Sequence, residues 1–586
     1  MGFTPSKYQQ DIFDFIQHGN GNAVISALAG SGKTFTLVNS MKLIPKKEKC
    51  LFIAFNKSIV EELTEKLKDR PNCTIRTVHS LGLSFLQNNF DAHIDVDEYK
   101  YNSFLRMNIG RLSSIENING LSKDELNEYI GRIISIINFS RLNLAQSVNE
   151  IRSVASNYSI PIENDEDDVA FKCLKWGKEN VTTIDYTDMV WLPFELSLKP
   201  VANKYDWIFF DECQDASLAG IKLFLRCFKR GTRFVAAGDR NQCINMFAGA
   251  SEEAFDFMCN YQNTMVFPLP ISYRCDRKII EMAQDIVPDI MHRDDADEGI
   301  VVTDCFTSSI KDGDMVLSRT KSPLFRLYTK LLRRGRKCFI KGQDGVDGLI
   351  ELLNLSEQEE LNPELDKAGV FSELYEHMFK ERNKLLTKRG ITIEDATVSP
   401  YIMNIYDSIS TLIILADLCH NSREELRELL DKIQNSEPEG ICLSTIHKAK
   451  GLEADNVYIL CRSSMPMSKA KKDWEKIEET NLIYVAYTRA KHKLGFISET
   501  EIPPSGVLKE TNSIIEDVAS IEGRLETLLG YEVTEHVSEE ELSRFRIKGA
   551  TKIEPLHKDD NTITVTSNNI TAGEDDDLLW ELEGLI

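Results

Sequence analysis

The sequence lacks the features of a membrane or secreted protein. It contains no run of about 18 apolar residues, so no transmembrane helix is predicted. The N-terminus, MGFTPSKYQQ, has neither a basic start nor an apolar stretch, so no secretory signal is predicted. The thirteen cysteines are scattered, without a CxxC pair or metal-ligand spacing, which favours reduced thiols. We therefore expect a cytoplasmic protein, or one of the host cytoplasm if the chain is viral.

The sequence also lacks an excess of basic residues, since its 92 acidic residues outnumber its 69 lysines and arginines and the net charge is −23. Residues 506–586 hold 19 acidic and 7 basic residues, a net of −12, and the other 505 residues carry −11. Net charge governs solubility and long-range steering, whereas binding depends on local patches. The composition argues against a nonspecific coat on nucleic acid, but it is compatible with a local binding groove.

Apolar runs of strand length alternate with helical segments, a pattern typical of parallel α/β sheets. The predicted strands are Asn22–Leu28, Cys50–Phe55, Tyr205–Asp211, Arg233–Gly238, Met315–Ser318, Ile441–Thr445 and Asn456–Cys461. Two stretches, 84–183 and 346–439, have mostly helical character and few strand signals. The pattern predicts an α/β fold with two cores, each with a helical insertion, and a small C-terminal segment.

A chain of 586 residues is too long for one hydrophobic core and should divide into domains. The predicted parts are 1–83 with 184–264 for the first core, 84–183 for its insertion, 265–345 with 440–505 for the second core, 346–439 for its insertion, and 506–586 for the C-terminal segment with its acidic tail.

The strongest local signal is AVISALAGSGKTFTL, a strand that leads through a glycine-rich turn into a helix. Gly30 and Gly32 allow backbone N–H groups to surround phosphates, helped by the helix N-terminus. Lys33 is predicted to contact the β- and γ-phosphates, and the Thr34 hydroxyl to bind Mg²⁺. The strict phosphate-loop pattern has glycine where this chain has Ala27.

A carboxylate pair follows the apolar strand in YDWIFFDECQD. Alone, such a pair is more often a solvated turn, but after a buried strand in a phosphate-loop chain it predicts catalytic carboxylates. Asp211 is expected to hold Mg²⁺ and Glu212 to act as the general base on the attacking water. No second GK[ST] is present, so we expect one ATP site.

Further motifs occur in a fixed order between residues 9 and 491, and together they resemble the superfamily 1A helicases of the UvrD/Rep/PcrA family. They are YQQDIF, FIAFNKS, TVHS, IDYTDMV, DECQD, GDRNQCINMFAGA, ISYRC, STIHKAKGLE and EETNLIYVAYTRAK. The resemblance implies two RecA-like motor domains that use ATP and Mg²⁺ and a 3′-to-5′ DNA helicase acting in replication, repair or recombination. The alternative is a translocase that strips proteins from single-stranded DNA with little unwinding.

The resemblance also implies roles for nucleotide-site residues. The nucleotide-binding set is Gln9 with Gln10 as the alternative, Gly30, Ser31, Gly32, Lys33, Thr34, Tyr273 stacked on adenine, and Glu453 on the ribose. The catalytic set is Lys33, Glu212, Gln242 as γ-phosphate sensor, Arg274, and Arg489 as arginine finger. Phosphoryl transfer develops charge on the γ-phosphate and therefore needs cations around it. Because these cations come from both cores, the site should close with ATP and open after hydrolysis.

Tracking along a single strand needs aromatic platforms for bases and polar groups for phosphates. By resemblance, the groove is formed by Phe55, Asn56, Thr77, His79 and Phe247 in the first half and by Thr445 and His447 in the second. Arg319 and the basic run RRGRK at 333–337 are candidates for further phosphate contacts, although a basic run is often just a solvated face.

The chain departs from the family pattern in the motif GDRNQCINMFAGA. Asn245 stands where the family usually has tyrosine, and Ala248 where it usually has arginine. In EETNLIYVAYTRAK, TNL replaces a more basic stretch. The changes remove a stacking surface and a link between DNA and nucleotide, so coupling is expected to differ while the ATP chemistry is retained. The second insertion is also shorter than in typical relatives, which suggests a reduced motor of the kind that phages encode.

Other functional classes fit the sequence less well. A helicase–nuclease is disfavoured because no terminal acidic cluster followed by lysine is found. A non-enzymatic binding module is disfavoured by the intact Lys33, Asp211, Glu212, Gln242 and Arg489. We expect single-stranded DNA and tailed duplex DNA as partners, and no membrane.

The acidic tail EDDDLLWELEGLI has three interpretations. It could be a peptide hook for a replication, repair or single-strand-binding protein, since an acidic segment with exposed Leu and Trp suits a partner's groove. It could be an autoinhibitory strand in the motor's own groove. Alternatively, Trp580 could pack back on the second core as a terminal helix.

Overall fold

A computed structural model describes residues 4–529, with gaps at 55, 91–92, 117, 122, 159, 200–204, 247–248, 251, 343, 362–368, 390–391, 417, 421, 468–469, 471 and 505–510. The predicted groove residues Phe55 and Phe247, the substitution at Ala248 and the acidic tail lie outside the described residues. The described residues all belong to the first of the two units into which the chain divides, residues 1–545.

The first half of the chain forms a six-stranded parallel sheet. In chain order its elements are α1 (Lys7–His18), β1 (Asn22–Ala27), α2 (Lys33–Leu43), β2 (Cys50–Ala54), α3 (Lys57–Lys66), β3 (Cys73–Thr77), α4 (Val78–Asn89), β4 (Asp95–Val96), α5 (Lys100–Leu112), α6 (Lys123–Leu142), α7 (Val148–Asn157), α8 (Glu166–Glu179), β5 (Thr183–Ile184), α9 (Tyr186–Glu195), β6 (Tyr205–Phe210), α10 (Leu218–Arg226), β7 (Phe228–Gly238), α11 (Glu252–Asn260) and β8 (Thr264–Leu269). The strand order is β3-β2-β6-β7-β1-β8, while β4 and β5 pair separately.

The second half forms another six-stranded parallel sheet, with the order β11-β16-β15-β12-β14-β13. In chain order its elements are β9 (Ile271–Ser272), α12 (Arg277–Gln284), β10 (Met291–His292), β11 (Ile300–Cys305), β12 (Met315–Ser318), α13 (Lys321–Arg333), β13 (Cys338–Ile340), α14 (Asp344–Leu353), α15 (Val370–Arg389), α16 (Ile393–Thr397), α17 (Pro400–Ala416), α18 (Arg423–Gln434), β14 (Ile441–Thr445), β15 (Ala454–Ile459), α19 (Asp473–Tyr487), β16 (Ala490–Ile497) and α20 (Thr511–Leu529). The predicted fold class, two parallel-sheet domains with helical insertions, is confirmed.

All seven predicted strands are present; β7 begins five residues before the predicted start at Arg233, and the other strand ends differ from the prediction by at most two residues. Of the twelve described strands in the two six-stranded sheets, five were missed, and four of these, β3, β8, β11 and β13, lie at sheet edges; the short strands β4, β5, β9 and β10 of the two-stranded sheets were missed as well. Central strands such as β2 are buried along their whole length, as expected for a parallel sheet covered on both faces. Edge strands such as β11 are partly exposed, so their sequences lack the continuous apolar run that marked the central ones.

One predicted boundary and one predicted segment need correction. The first core was expected to end at residue 264, but β8 pairs with β1 along its whole length, so the first sheet continues to Leu269. Within the predicted C-terminal segment, α20 packs on the second insertion, where Val518 and Leu525 are buried in its core. Glu522 of α20 also pairs with the buried Arg382 of α15. In the described part of the chain, no helix has the length and apolar character needed to cross a membrane.

A buried network of charges joins the first insertion to the first sheet domain. Asp188 of α9 accepts hydrogen bonds from Lys100 at 2.6 Å, Tyr101 at 2.9 Å and Arg141 at 2.7 Å. Arg141 also forms a two-pronged pair with Asp185, with both distances 2.7 Å. Pairing of this kind offsets the cost of removing charges from water. The network therefore fixes α5 and α6 against α9.

We predict that Asp188→Ala destabilises the protein by roughly 3–5 kcal/mol, because it leaves buried cations without their carboxylate. Urea unfolding monitored by circular dichroism measures the change. Glu62→Ala is the control, since its pair with Lys66 is exposed and should contribute less than about 0.5 kcal/mol. Equal midpoints for the two variants would contradict a stabilising role for the network.

Candidate nucleotide site and strand groove

A cleft of about 620 Å³ lies between the two sheets, at the carboxyl ends of their strands. In parallel α/β folds this edge is where ligands bind. The first half contributes Gly30, Ser31, Gly32, Lys33, Thr34, Asn56, Glu212 and Gln242, and the second contributes Tyr273, Arg274, His447, Glu453 and Arg489. The structure therefore brings most of the predicted nucleotide-site residues together around one cavity.

The phosphate loop has the backbone that its glycines predict. Gly30 and Gly32 have φ of 71° and 81°, in the left-handed region that favours glycine. A Cβ on Gly30 would lie 2.6 Å from the Ser272 hydroxyl and 2.7 Å from Cβ of Arg274, so no larger residue fits there. The buried Ser31 hydroxyl has no hydrogen-bond partner among the described residues. The loop thus offers unused donors to an anion.

The predicted catalytic lysine and the two predicted carboxylates each have a partner within the loop or the strand end. Lys33 Nζ lies 3.1 Å from Glu212 Oε2. The Thr34 hydroxyl donates to Asp211 Oδ2 at 2.5 Å. Glu212 has φ of 53°, a left-handed conformation that is uncommon for a residue with a side chain. Strained backbone of this kind is concentrated at functional sites.

The two adjacent carboxyl groups differ in their acidity. Burial raises the pKa of Glu212, but Lys33 and Lys450 outweigh it and lower that pKa to about 2. Burial, reinforced by the charge of Glu212, raises the pKa of Asp211 to about 6. Burial lowers the pKa of Lys33, but Glu212, Asp239 and Asp211 together raise it. Glu212 is therefore ionised and held by Lys33, while Asp211 lacks a full counter-charge.

Oxygen ligands suited to Mg²⁺ are present at the cleft. The Thr34 hydroxyl and Asp211 carboxylate are the hard oxygen donors that this ion prefers. Among the described residues, no group of three or more His, Cys, Asp or Glu side chains is placed to hold a metal by itself. A cation at Thr34 and Asp211 would therefore complete its shell with water and nucleotide oxygens.

Arg489 is a buried cation in the second half of the cleft. It donates to the carbonyl oxygens of Val485 at 3.0 Å and Leu452 at 3.2 Å, and to Gln242 Oε1 at 3.4 Å. Among the residues that the structure describes, no carboxylate lies within ion-pair distance of its guanidinium. Burial and the nearby Arg274 lower the pKa of Arg489 to about 10. The predicted arginine finger thus contacts the predicted γ-phosphate sensor.

Arg274 and Glu453 lie together on the same side of the cleft. Arg274 Nε donates to Glu453 Oε2 at 2.7 Å, and Lys491 lies 2.9 Å from the other carboxylate oxygen. Tyr273 is about two-fifths exposed and lines the cleft. Its backbone N–H donates to the Gly30 carbonyl at 2.8 Å, which attaches this segment to the phosphate loop.

Gln9 and Gln10 have different environments, which bears on the predicted adenine contact. Gln9 is buried, and its amide donates to Thr36 Oγ1 of α2 at 3.2 Å. It also accepts a hydrogen bond from the Ser6 N–H at 3.0 Å and thereby caps α1. Gln10 is exposed and donates to Asp14 at 2.7 Å. Of the two, Gln9 is therefore the one beside the phosphate-loop helix, although it does not line the cleft.

Contacts across the cleft were not foreseen from the sequence. Lys450 pairs with Asp215 at 2.6 and 2.7 Å and donates to the Gln242 carbonyl at 2.7 Å. Asn245, at the altered family position, donates to the same Asp215 at 3.2 Å. Both Lys450 and Asp215 lie within motifs already singled out, KAKGLE and DECQD. Their 235-residue separation hid the pairing.

The motif helix α19 also contacts the first half of the chain. The Tyr484 hydroxyl accepts a hydrogen bond from the Ala29 N–H of the phosphate loop at 2.9 Å. Asn481 donates to the Cys243 carbonyl at 3.0 Å. One helix therefore contacts the phosphate loop through Tyr484 and, through Asn481, the residue next to the predicted γ-phosphate sensor Gln242, and it leads directly to Arg489.

The predicted groove residues of the first half have mixed surroundings. Asn56 caps α3 through the Ile59 N–H at 2.9 Å and lines the nucleotide cleft. Thr77 caps α4. His79 is exposed, with its ring 6.5 Å from that of Tyr186, which is more than half exposed. The sequence analysis did not single out Tyr186; its exposed ring beside His79 makes it a further candidate for the groove, and its place next to the strand-end aspartate in IDYTDMV was a usable signal.

The predicted groove residues of the second half are less available to phosphates. Burial and the charges of Arg319 and Lys450 lower the pKa of His447 to about 3, so this side chain is neutral. Both Nε and Nη2 of Arg319 donate to Glu479, at 2.9 and 2.6 Å. Thr445 ends β14, away from the nucleotide cleft lining.

The basic run at 333–337 is engaged within the protein. Arg336 pairs with Asp312 at 2.8 Å, and Lys337 pairs with Glu439 at 2.8 Å. Arg334 donates to the Thr307 hydroxyl at 3.0 Å. These contacts favour the interpretation of the run as a solvated, ion-paired face.

Comparison with known proteins gives concordant matches. Residues 8–260 match the UvrD/REP helicase N-terminal domain, and residues 356–501 match the UvrD-like helicase C-terminal domain. F-box DNA helicase protein 1 of Schizosaccharomyces pombe is 25% identical over 80% of this chain and 55% of its own. ATP-dependent DNA helicase Rep of Buchnera aphidicola is 24% identical over 49% of this chain and 43% of its own. ATP-dependent DNA helicase PcrA of Bacillus subtilis is 23% identical over 48% and 40%, respectively.

The chain spans about half the length of these curated relatives. The two family matches lie in the order of the two sheets and include the phosphate loop, the carboxylate pair and Arg489. With the motif order and the cleft geometry, they establish that this chain belongs to the UvrD/Rep/PcrA family of superfamily 1A helicases.

Proposed function

We propose that this protein is an ATP-driven motor that translocates on single-stranded DNA and unwinds duplex DNA in the 3′-to-5′ direction. The observation that supports this most directly is the cleft itself. The phosphate loop and Glu212 of the first sheet domain line the same cleft as Arg274 and Arg489 of the second. A site assembled from two domains can convert hydrolysis into their relative movement.

In this proposal Lys33 exchanges partners when ATP binds. The cation now paired with Glu212 turns to the β- and γ-phosphates, and the Ser31 hydroxyl donates to a phosphate oxygen. Release from Lys33 raises the proton affinity of Glu212, which then accepts a proton from the attacking water. Mg²⁺ held by Thr34 and Asp211 would neutralise charge on the phosphate oxygens.

Arg489 stabilises the charge that develops on the γ-phosphate. It is buried and, among the described side chains, lacks a carboxylate partner, so an anion in the cleft is the counter-charge that its environment lacks. Gln242 contacts Arg489 and the carboxylate of Asp239, at 2.6 Å from the latter. Binding or loss of the γ-phosphate would therefore alter the contacts of Gln242 in the first half of the cleft and of Arg489 in the second.

The polarity, and the roles in replication, repair or recombination, are proposed from the family resemblance. A specific observation favours the alternative of a protein-stripping translocase with little unwinding. The Asn245 side-chain amide donates a hydrogen bond to Asp215, and asparagine has no ring that could stack on a base. The tail as a hook for a replication, repair or single-strand-binding protein remains a proposal from sequence alone.

We predict that Lys33→Ala lowers DNA-stimulated ATP turnover by roughly a thousandfold, because a cation on the transferred phosphoryl group is lost. Phosphate release measured with saturating oligothymidylate tests this. Lys66→Ala, which removes an exposed lysine, is the control and should retain full turnover. Near-normal hydrolysis by a folded Lys33→Ala protein would disprove the site assignment.

We predict that Tyr186→Ala weakens binding of single-stranded DNA by about 1–3 kcal/mol, the usual value of one base stacked on an aromatic ring. Fluorescence anisotropy with a labelled oligonucleotide gives the affinity. Tyr99→Ala removes another exposed tyrosine, distant in sequence, and should bind as the parent protein does. If both variants bind equally well, Tyr186 is not part of the groove.

We predict that duplexes with a 3′ single-stranded tail are unwound with ATP, whereas matched duplexes with a 5′ tail are not. Strand displacement is followed by fluorescence, and removal of a protein bound to the same tail is measured in parallel. Displacement of that protein without unwinding of either duplex would favour the stripping translocase. Preferential unwinding of the 5′-tailed duplex would contradict the proposed polarity.

A further inference from the structure

The motif helix α19 contacts the first insertion at its amino end. Lys472, the residue before α19, donates from Nζ to the carbonyl oxygens of Ser156 and, at 2.8 Å, of Asn157. Trp474, in the first turn of α19, donates from Nε1 to the same Asn157 carbonyl at 3.2 Å. We name these four residues the α7–α19 clasp. It joins the two halves of the chain through residues as distant in sequence as Ser156 and Lys472, which are 316 positions apart.

The acceptors of the clasp lie at the carboxyl end of α7 (Val148–Asn157). The last carbonyl groups of a helix have no partner within the helix, and together they carry a partial negative charge. A cation is favourable at this end, but α7 has no basic residue in its own last turn. Lys472 supplies that cation from the second half of the chain. The clasp is therefore a charge-assisted contact.

Aromatic and apolar packing supports the clasp on both sides of Trp474. Its ring lies 6.3 Å from that of Tyr158, which stacks at 4.1 Å on Phe139 of α6. Trp474 also packs against a small buried cluster in the segment that follows the predicted γ-phosphate sensor, formed by Cys243, Met246 and Ala250. The first insertion, this segment and α19 thus meet at one side chain.

The first insertion is attached to the first half of the chain by buried contacts, whereas the clasp lies at the surface. The charge network of Asp188 and Arg141 fixes the insertion to α9. A Cβ on Gly249 would lie 2.5 Å from Leu142 of α6, so the insertion also packs closely on the segment after the γ-phosphate sensor. The clasp residues are partly or fully exposed, so water can replace their hydrogen bonds when they separate. The clasp can therefore open while the insertion stays with the first half.

The other end of α19 reaches the nucleotide cleft. The helix has 15 residues and is therefore about 22 Å long. Tyr484 in its last turn accepts a hydrogen bond from the phosphate loop, and Arg489, two residues beyond the helix, lines the cleft. Because a helix moves as a rigid element, a movement that takes Arg489 away from the first half also pulls on the clasp.

We propose that the α7–α19 clasp favours the closed arrangement of the two halves through contacts that do not involve the nucleotide, and that it thereby raises the affinity for ATP. Lys472 and Trp474 are positioning residues in this proposal, since neither lines the nucleotide cleft. A nucleotide with ligands from both halves binds the closed arrangement, so its apparent affinity is proportional to the closed fraction of the protein. Loss of the clasp lowers that fraction. The inference rests on the proposed function and adds a determinant of its ATP affinity.

The double variant Lys472→Gln/Trp474→Phe tests the proposal, because it removes the cation and the indole N–H but keeps an aromatic ring on the apolar cluster. Binding of a fluorescent, non-hydrolysable ATP analogue to the full chain should weaken roughly five- to tenfold, since the hydrogen bonds of the clasp are lost. KM for ATP, measured with saturating oligothymidylate, should rise by a similar factor, while kcat should stay within about twofold of the parent value.

Two matched variants separate this role from general damage to α19. Lys476→Gln removes an exposed lysine of the same helix, whose partner Asp473 is also exposed, and it should keep the parent affinity. Lys472→Arg retains a cation that can donate to the same carbonyl groups, and it should also bind the analogue as the parent protein does. If Lys472→Gln/Trp474→Phe binds as tightly as Lys476→Gln, or lowers kcat without raising KM, the proposal is wrong.

The fluorescence of Trp474 provides a test that needs no catalytic turnover. The difference between the parent protein and Trp474→Phe isolates this indole, and its quenching by acrylamide reports its exposure. Quenching should be stronger with ADP than with the non-hydrolysable ATP analogue, because the cleft and the clasp open together once the γ-phosphate is lost. Trp176→Phe is the control, since it removes an indole that stacks on Phe104 within the first insertion, and it should leave this nucleotide dependence intact.

The outcomes distinguish the clasp from the proposed function. Equal quenching of Trp474 with ADP and with the ATP analogue would overturn the clasp, whatever the turnover of the parent protein. If quenching depends on the nucleotide as expected but the parent protein shows no DNA-stimulated hydrolysis of ATP, the proposed function fails and the clasp is supported.

Discussion

The close backbone approach at Gly30 is the constraint on which the two-domain site depends. The loop that is to hold phosphates touches Ser272 and Arg274, and its carbonyl accepts a hydrogen bond from Tyr273. Only a residue without Cβ permits this distance. As a result, the loop is coupled to the segment that enters the second sheet by atoms of the main chain. Tyr484 adds a second connection from α19 to Ala29 of the same loop.

The cations around this contact differ in whether they have a carboxylate partner. Lys33, Arg274 and Lys450 each have a carboxylate partner, in Glu212, Glu453 and Asp215 respectively. Arg489 has neutral oxygen partners among the residues described. A paired cation must exchange its carboxylate for a ligand anion when the ligand enters. Arg489, by contrast, would gain its first anionic partner among the residues described. Binding of an anion should therefore strengthen the closed arrangement chiefly through this one side chain.

The sequence was sufficient to predict residues that follow strand ends, because the carboxyl ends of parallel strands meet at one edge. Lys33 and Glu212 were identified in this way, whereas Gln242 was implied by the family resemblance, and the structure places all three at one cleft. Contacts between distant segments were not predictable, since no local pattern encodes the distance from Lys450 to Asp215. The sequence also could not show that a predicted phosphate contact is already engaged within the protein. The guanidinium of Arg319 donates to Glu479, which its motif does not reveal. Edge strands such as β8 were missed because partial exposure weakens their apolar pattern.

The left-handed backbone of Glu212 lowers folding stability at a residue whose side chain we propose to be catalytic. A side chain in that conformation costs on the order of 1 kcal/mol, which the surrounding pairs with Lys33 and Gln214 offset. Glycine would adopt the same backbone without strain, but it would remove the carboxylate. Relief of the strain would therefore also remove the carboxylate that Lys33 contacts, so the unfavourable backbone conformation is tied to the side chain that we propose as the general base.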